Sequence, residues 1–436
     1  MRKHRRRPLR RLIDELAAEL QGKGVSMVEG VWDAAYRDLT DEAARLYRLL
    51  AVHPGPFIAP EAAAALLGAG AEAADDALEE LETASLLLPD TAARLRMHDL
   101  VRAHARRCAD RDDAAGAESA EARRRIVRWY LRQAQRADVL AAGKRMTFGE
   151  TVELPPYAPD VPFAGKPEAL HWLEAERLAL HGCVRTAHAH GLDAEVWALC
   201  EPLWTHFLDH PHPTDAIESF GAGVASAARA GNIPALVRMR CQLARPLWEE
   251  GRYDEAEREL KHALHGAQTL GTTPQERKLQ ASAIEFRGKL LSVQGDWAAA
   301  EPYFERSRRI HIEIGNDYGV LLQTYLLGLS AAGMGQPERA AALLETAHAT
   351  AREQGRERMT ARSGFELGRV LHVGLGRTGE ARELYEAALT SARRRGATFD
   401  EARIHDALGA LAEETGDEGR AESHRGAARA IRERSS

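Results

Sequence analysis

His206, His210 and His212 fall within seven residues, and the first two stand one helical turn apart, where two imidazoles share a face. Such a pair can begin a zinc site if a third ligand joins it. Here Pro211 and Pro213 place the later histidines in a loop, and no carboxylate is clearly placed to complete the set. A polar turn between helices is expected, and no metal. Phosphate chemistry would need G-x-x-x-x-G-K-[ST], whose backbone N–H groups cradle the anion. The Gly-Lys pairs are Gly22-Lys23, Gly143-Lys144, Gly165-Lys166 and Gly288-Lys289; none has Gly five positions earlier or Ser/Thr next. No apolar run ends in paired Asp to hold magnesium, and neither G-x-S-x-G nor H-E-x-x-H occurs. The sequence therefore predicts no cofactor and no enzymatic activity.

The elements that would position any site are helices. In 436 residues, apolar types make up 44% and charged types 28%, too apolar for disorder. Ala, Leu, Glu and Arg dominate, and these are strong helix formers. The four cysteines (Cys108, Cys183, Cys200, Cys241) are widely separated and read as buried thiols of a reducing compartment. No run reaches the ~20 apolar residues of a membrane span, so a cytoplasmic protein is expected. Charge is uneven. Residues 1–25 carry eight basic against three acidic side chains, a net of +5, which leaves −11 on the remainder of a chain of net −6. Only that basic arm has the sign to attract nucleic acid.

A repeated phrase organises the C-terminal half. Gly251, Gly295, Gly335, Gly376 and Gly416 recur at intervals of 40 to 44 residues, and an Ala follows each by five: Ala256, Ala300, Ala340, Ala381 and Ala421. Seven residues before the Gly stands a small residue (Ala244, Gly288, Gly328, Gly409), with Gly368 one place out of register. Four residues past the Ala a large side chain returns as Leu260, Phe304, Leu344 or Tyr385, with Arg425 in the last copy. Each unit is a pair of helices, with Gly ending the first and small residues letting the second approach. The pattern resembles the tetratricopeptide repeat, with a longer period and no closing Pro. It covers residues 233–436, and a degenerate unit with Trp197, Leu203, Trp204 and Phe207 is expected over 191–232. First helices of such arrays line a groove. Counting from the glycines, Arg238, Gln242, Arg245, Trp248, Lys289, Tyr325, Arg362 and Arg369 are the candidates to face it and to hold an acidic or amphipathic partner segment.

Residues 26–110 predict a different domain. Thr40 can cap a helix over 41–50, a proline-first helix begins at Pro60, and a third spans 73–84. A hairpin of 85–88 and 94–97 turning at Pro89-Asp90 follows, then a helix from Asp99. That order is a winged helix. The third helix carries Asp75, Asp76, Glu79, Glu80 and Glu82 with no Lys or Arg, so phosphates would repel it and DNA reading is not expected. Residues 111–190 are read as a charged linker (111–125) and a helical connector, with a proline-rich loop over 152–166.

The stretches Ala35-Tyr36, Ala44–Leu50, His53-Pro54-Gly55 and Arg96-Met97-His98-Asp99-Leu100 resemble the winged-helix domain of actinobacterial NB-ARC-type (STAND) signalling ATPases. Trp172-Leu173-Glu174-Ala175-Glu176-Arg177 is similar to the segment leading into their repeats. The resemblance implies an architecture that runs from the end of a helical domain onward, the nucleotide-binding core not being matched, and a role as sensor or partner platform. It also implies that His98, in the Met-His-Asp triplet, corresponds to the residue that contacts ADP in that family. Without a phosphate cradle that contact would need another chain, and His98 is expected to be vestigial. The expectation is an all-α, non-enzymatic regulatory scaffold with a protein or peptide partner. Two alternatives stand beside it: the C-terminal part of a split or late-started NB-ARC ATPase, and a transcription factor using the basic arm.

Overall fold

A computed structural model describes residues 25–90, 94–113, 116–143 and 145–435. Apart from Val25, the basic arm lies outside the described residues. The chain divides into two units, 1–210 and 211–436.

In the first unit, α1 (Val25–Arg37) and α2 (Asp41–Leu49) are followed by β1 (Phe57–Ile58), α3 (Pro60–Leu67), α4 (Ala71–Thr83), β2 (Leu88–Pro89), β3 (Leu95–Arg96) and α5 (Asp99–Asp112). Thr40 caps α2 by accepting from the Ala43 N–H. The strands form an antiparallel sheet in the order β1-β3-β2, with Phe57 and Leu88 both opposite Arg96. Strand β1 leaves no alternation to detect, being two residues between Pro56 and Pro60. Pro89, expected in the turn, instead pairs with Leu95 on an edge strand, where a missing N–H is tolerated.

Helix α6 (Ala117–Ala142) covers much of the stretch read as a charged linker. The charges there are one face of a helix whose other face, through Ala122, Ile126, Val127 and Tyr130, is buried. Arg125 donates to the Ala65 and Leu66 carbonyls at the end of α3. The loop between α6 and α7 (Lys166–Ala175) is pinned to α6: Arg132 makes two 2.7 Å bonds to Asp160, and Trp129 Nε1 donates to the Pro159 carbonyl. Helices α8 (Arg177–Ala189) and α9 (Asp193–Asp209) complete this unit. The region expected as a degenerate repeat is thus divided, since α9 belongs to the first unit and α10 (Pro213–Arg229) to the second.

The second unit continues as helix pairs: α11 (Ile233–Glu249) with α12 (Tyr253–Gln268), α13 (Pro274–Val293) with α14 (Trp297–Glu313), α15 (Asp317–Gly333) with α16 (Pro337–Glu353), α17 (Glu357–Arg369) with α18 (Thr378–Arg395), and α19 (Thr398–Glu414) with α20 (Glu418–Ser435). All five marker glycines sit between the paired helices at φ of +66° to +82°. A second series, Gly231, Gly315, Gly355 and Gly396, does the same between pairs at φ of +63° to +66°. The true beat of the array is therefore about one helix, half the interval read from the sequence. The longer first interval comes from the turn before α13, which ends in a reciprocal Thr273–Glu276 capping box.

The small residue of each first helix meets the large residue of the second. A Cβ on Gly288 would lie 2.7 Å from Phe304 Cε1, on Gly328 2.7 Å from Leu344 Cγ, and on Gly368 2.8 Å from Tyr385 Cε1. The marker alanines are buried beside these contacts. Gly368 is out of register because a π-helical turn, Val370–Gly374, absorbs one extra residue between it and Gly376.

Candidate partner-binding groove

First helices of three successive repeats open onto one small pocket. Tyr325 comes from α15, Arg362, Phe365 and Glu366 from α17, and Asp400, Arg403 and Ile404 from α19; Arg395 reaches in from the end of α18. Two cations lie over aromatic rings: Arg362 is 5.3 Å from the Tyr325 centroid and Arg403 is 5.1 Å from that of Phe365. Burial pushes the Tyr325 hydroxyl pKa up, so the ring keeps its proton. Glu366 pairs with Arg369 (2.9 Å) and with Arg403 (3.2 Å), and Asp400 pairs with Arg395 (3.5 Å).

The sequence-derived candidates divide by depth. Tyr325 and Arg362 meet in this pocket, and Arg369, exposed, borders it through Glu366. On α13, Lys289 pairs with Glu285 and lies 5.3 Å from the Phe286 ring, which in turn contacts Trp248. The α11 candidates differ from expectation. Arg238, Gln242 and Trp248 are buried and Arg245 is half-buried, pairing with Glu249. The cause is packing, because α10, α12 and α13 all contact α11 and leave little of it open. Phe365, Glu366, Arg395, Asp400 and Arg403 were not singled out from sequence. A signal for Arg403 existed: it stands six residues before its small residue Gly409, as Arg362 does before Gly368. Counting from the glycine turns instead, the π-helical turn shifts α17 by one and hides the match.

In the first unit, two of the stretches that carry the family resemblance meet: His53-Pro54-Gly55 and the segment holding Glu176. The His53-Pro54-Gly55 turn lies against α8: a Cβ on Gly182 would sit 2.1 Å from the Pro54 carbonyl oxygen, and one on Gly55 2.7 Å from Ala179 Cβ. Arg102 holds the turn by donating to the His53 and Gly55 carbonyls, both at 3.0 Å. The Tyr130 hydroxyl donates to Glu176 (3.1 Å) and lies 3.4 Å from His53 Nε2, while Arg94, just before β3, reaches Glu176 at 3.4 Å. Burial holds the His53 imidazolium at about 4 and raises the Glu176 carboxyl. His98 is exposed and caps α5, its Nδ1 accepting from the Leu100 N–H at 3.3 Å.

Helix α4 exposes Asp75, Asp76, Glu79 and Glu82, while Glu80 accepts from the Thr40 N–H and hydroxyl. Of the clustered histidines, His206 is buried 3.1 Å from Glu174, and His210 stacks on it with centroids 5.3 Å apart; His212 belongs to the second unit. Asp33, His104 and Cys108 also place ligand-type atoms within 4.8 Å. Both ring nitrogens of His104 already have partners there, Tyr47 at 2.8 Å and Asp33 at 3.1 Å, and burial raises the Cys108 thiol. Among the described residues no helix is long and apolar enough to cross a membrane.

No family model matches the sequence. The chain is similar to the regulatory protein AfsR of Streptomyces griseus, 31% identical over 316 residues, or 71% of this chain and 31% of that one. With the regulatory protein AfsR of Streptomyces coelicolor it is 30% identical over 370 residues, or 82% of this chain and 35% of the other. The chain thus spans about a third of the length of the curated relatives it matches, and the 370-residue match is longer than either unit. Similar solved structures include BtubC from P. vanneervenii (24% identity, TM-score 0.44, covering 50% of this chain and 91% of that one). Another is a STAND protein with a tetratricopeptide repeat sensor from Pyrococcus horikoshii (15% identity, TM-score 0.41, covering 92% and 64%).

Proposed function

We propose that this chain acts as a non-enzymatic sensing and docking part of a regulatory protein, holding a protein partner on the first helices of its repeats. The observation that carries this reading is the similarity to AfsR regulatory proteins, long enough to enter both units. The repeat geometry supports it, because three first helices expose a pocket that mixes aromatic rings and cations, the composition that dominates protein interfaces. In the same reading the first unit, helix–strand–helix–helix–strand–strand from α2 to β3, is a winged helix. Its acidic α4 argues against a role in DNA contact. The His98 cap is complete within its own helix, so nucleotide contact would be made only together with a nucleotide-binding core elsewhere.

The test uses the full chain as immobilised bait for extracts, followed by titration of the captured protein in purified form. Saturable binding at roughly micromolar Kd or tighter is expected. A captured set no different from that of an unrelated helical protein, or one that does not saturate on titration, refutes the reading.

A further inference from the structure

The pocket of α15, α17 and α19 has an unbalanced charge. Three guanidiniums (Arg362, Arg395, Arg403) face two carboxylates, and both carboxylates are engaged: Glu366 by Arg369 and Arg403, Asp400 by Arg395. Arg362 has no carboxylate within ion-pair distance among the described residues; it lies over the Tyr325 ring, with Asp400 near enough to attract it. A guanidinium held over a ring keeps its N–H edges available in the plane, the geometry that grips a carboxylate with two parallel bonds. One turn before Arg403 on α19, Phe399 is 75% exposed, an apolar surface beside a charged pocket.

We propose that this pocket seats the carboxylate of an acidic side chain in an extended or helical segment of the partner, with Arg362 as its principal cation. Tyr325 and Phe365 form the floor, and Phe399 contacts an apolar neighbour of the acidic residue. This deepens the reading of the repeats as a protein-binding surface and rests on it. A carboxylate is opposite in sign to the excess of guanidiniums over carboxylates at this pocket. A doubly charged phosphate would bring its second charge against Glu366 and Asp400, and a free ion would leave Phe399 uncovered.

The experiment titrates the full chain into a short fluorescent peptide of interspersed Glu and Leu, and into the same peptide with every Glu replaced by Gln. The acidic peptide is expected to bind saturably and the neutral one about tenfold or more weakly, the loss typical of a charged hydrogen-bonded pair. Arg362→Gln is expected to lose a similar factor, and Arg362→Lys to retain part of the binding. Arg339→Gln, on a second helix and paired with Glu301, should bind as the unaltered chain does. Circular dichroism verifies that each variant keeps its helices. Equal binding of the two peptides, unchanged binding by Arg362→Gln, no saturable binding, or displacement by inorganic phosphate overturns the inference. If the protein captured from extracts still binds the Arg362→Gln chain with undiminished affinity, the pocket assignment falls while the docking role stands. If no partner is captured at all, it is the docking role that fails.

Discussion

Replacing Gly182 with Ala sets two effects of opposite sign against each other. Gly182 lies inside α8, where Ala is favoured over Gly by about 1 kcal/mol on helix propensity. The added Cβ, however, would stand 2.1 Å from the Pro54 carbonyl oxygen and 2.9 Å from its carbon. An ordinary approach is about 3.3 Å, so the turn and the helix must part by roughly 1 Å. The turn has little freedom to give way. Arg102 fixes it by two 3.0 Å bonds, and Gly55 already lies close to Ala179 of the same helix. Overpacking costs about 1–3 kcal/mol, and a clash with backbone belongs at the upper end, so Gly182→Ala should destabilise by about 2 kcal/mol net. Gly221→Ala is the control: it lies within α10 with nothing inside 4 Å of the new Cβ, and should stabilise by up to about 1 kcal/mol. Urea unfolding read by tryptophan fluorescence suits the measurement, because five of the seven tryptophans lie in the first unit. A Gly182→Ala midpoint equal to or above that of the unaltered chain would refute the reasoning.

Two further outcomes follow from the packing and the buried histidine. Phe304→Ala should cost about 3–5 kcal/mol and Gly288→Ala about 1–3 kcal/mol. In the double variant the new Cβ occupies part of the vacated space, so urea unfolding should show a combined loss smaller than the sum by about 1 kcal/mol; strict additivity would contradict the contact. His53 stays neutral in the folded chain down to about pH 4, whereas unfolded it takes up a proton near its ordinary pKa of about 6.5. Below that value the unfolded state binds more protons, so stability present at neutral pH is lost as pH falls from about 6.5 to about 4, a total of roughly 3 kcal/mol. The raised Glu176 carboxyl works the other way where it titrates, since its folded form accepts a proton more readily. Stability measured from pH 7.5 to 5.5 should therefore decline more steeply for the unaltered chain than for His53→Gln, and parallel slopes would count against the buried neutral imidazole.

The repeats were legible because packing geometry constrains residue size at fixed spacing. Gly288, Gly328 and Gly368 must be small where Phe304, Leu344 and Tyr385 press on them, and that requirement prints a pattern in one sequence. The small and the large residue recur together in the sequence because the structure sets one against the other. The first unit was less legible where an element is shorter than its own period. Strand β1 spans two residues, and the charges at the start of α6 masked an apolar face that becomes periodic only further along. The groove was legible in part for a related reason. Sequence spacing shows which residues share a helix face, but not whether a neighbouring helix covers it; α11 is enclosed and α17 is not.

That difference bears on where binding can occur. On α11 the residues at the groove positions, Arg238 and Gln242, are committed to the interior, so altering them would disturb the fold and report little about recognition. On α17 and α19 the positions corresponding to Arg238 hold Arg362 and Arg403, exposed cations over buried rings, and the helix end that follows Arg369 is a π-helical turn. Such turns insert a residue and rotate the face that follows, and they recur at functional sites. Here the inserted residue sits between Gly368, which fixes α17 against Tyr385, and the Gly376 turn, so the extra residue is absorbed without moving Arg362 out of line with Arg403. The array thus keeps its packing register through Gly368 and its cation register through Arg362, and a surface assembled from several helices needs both at once.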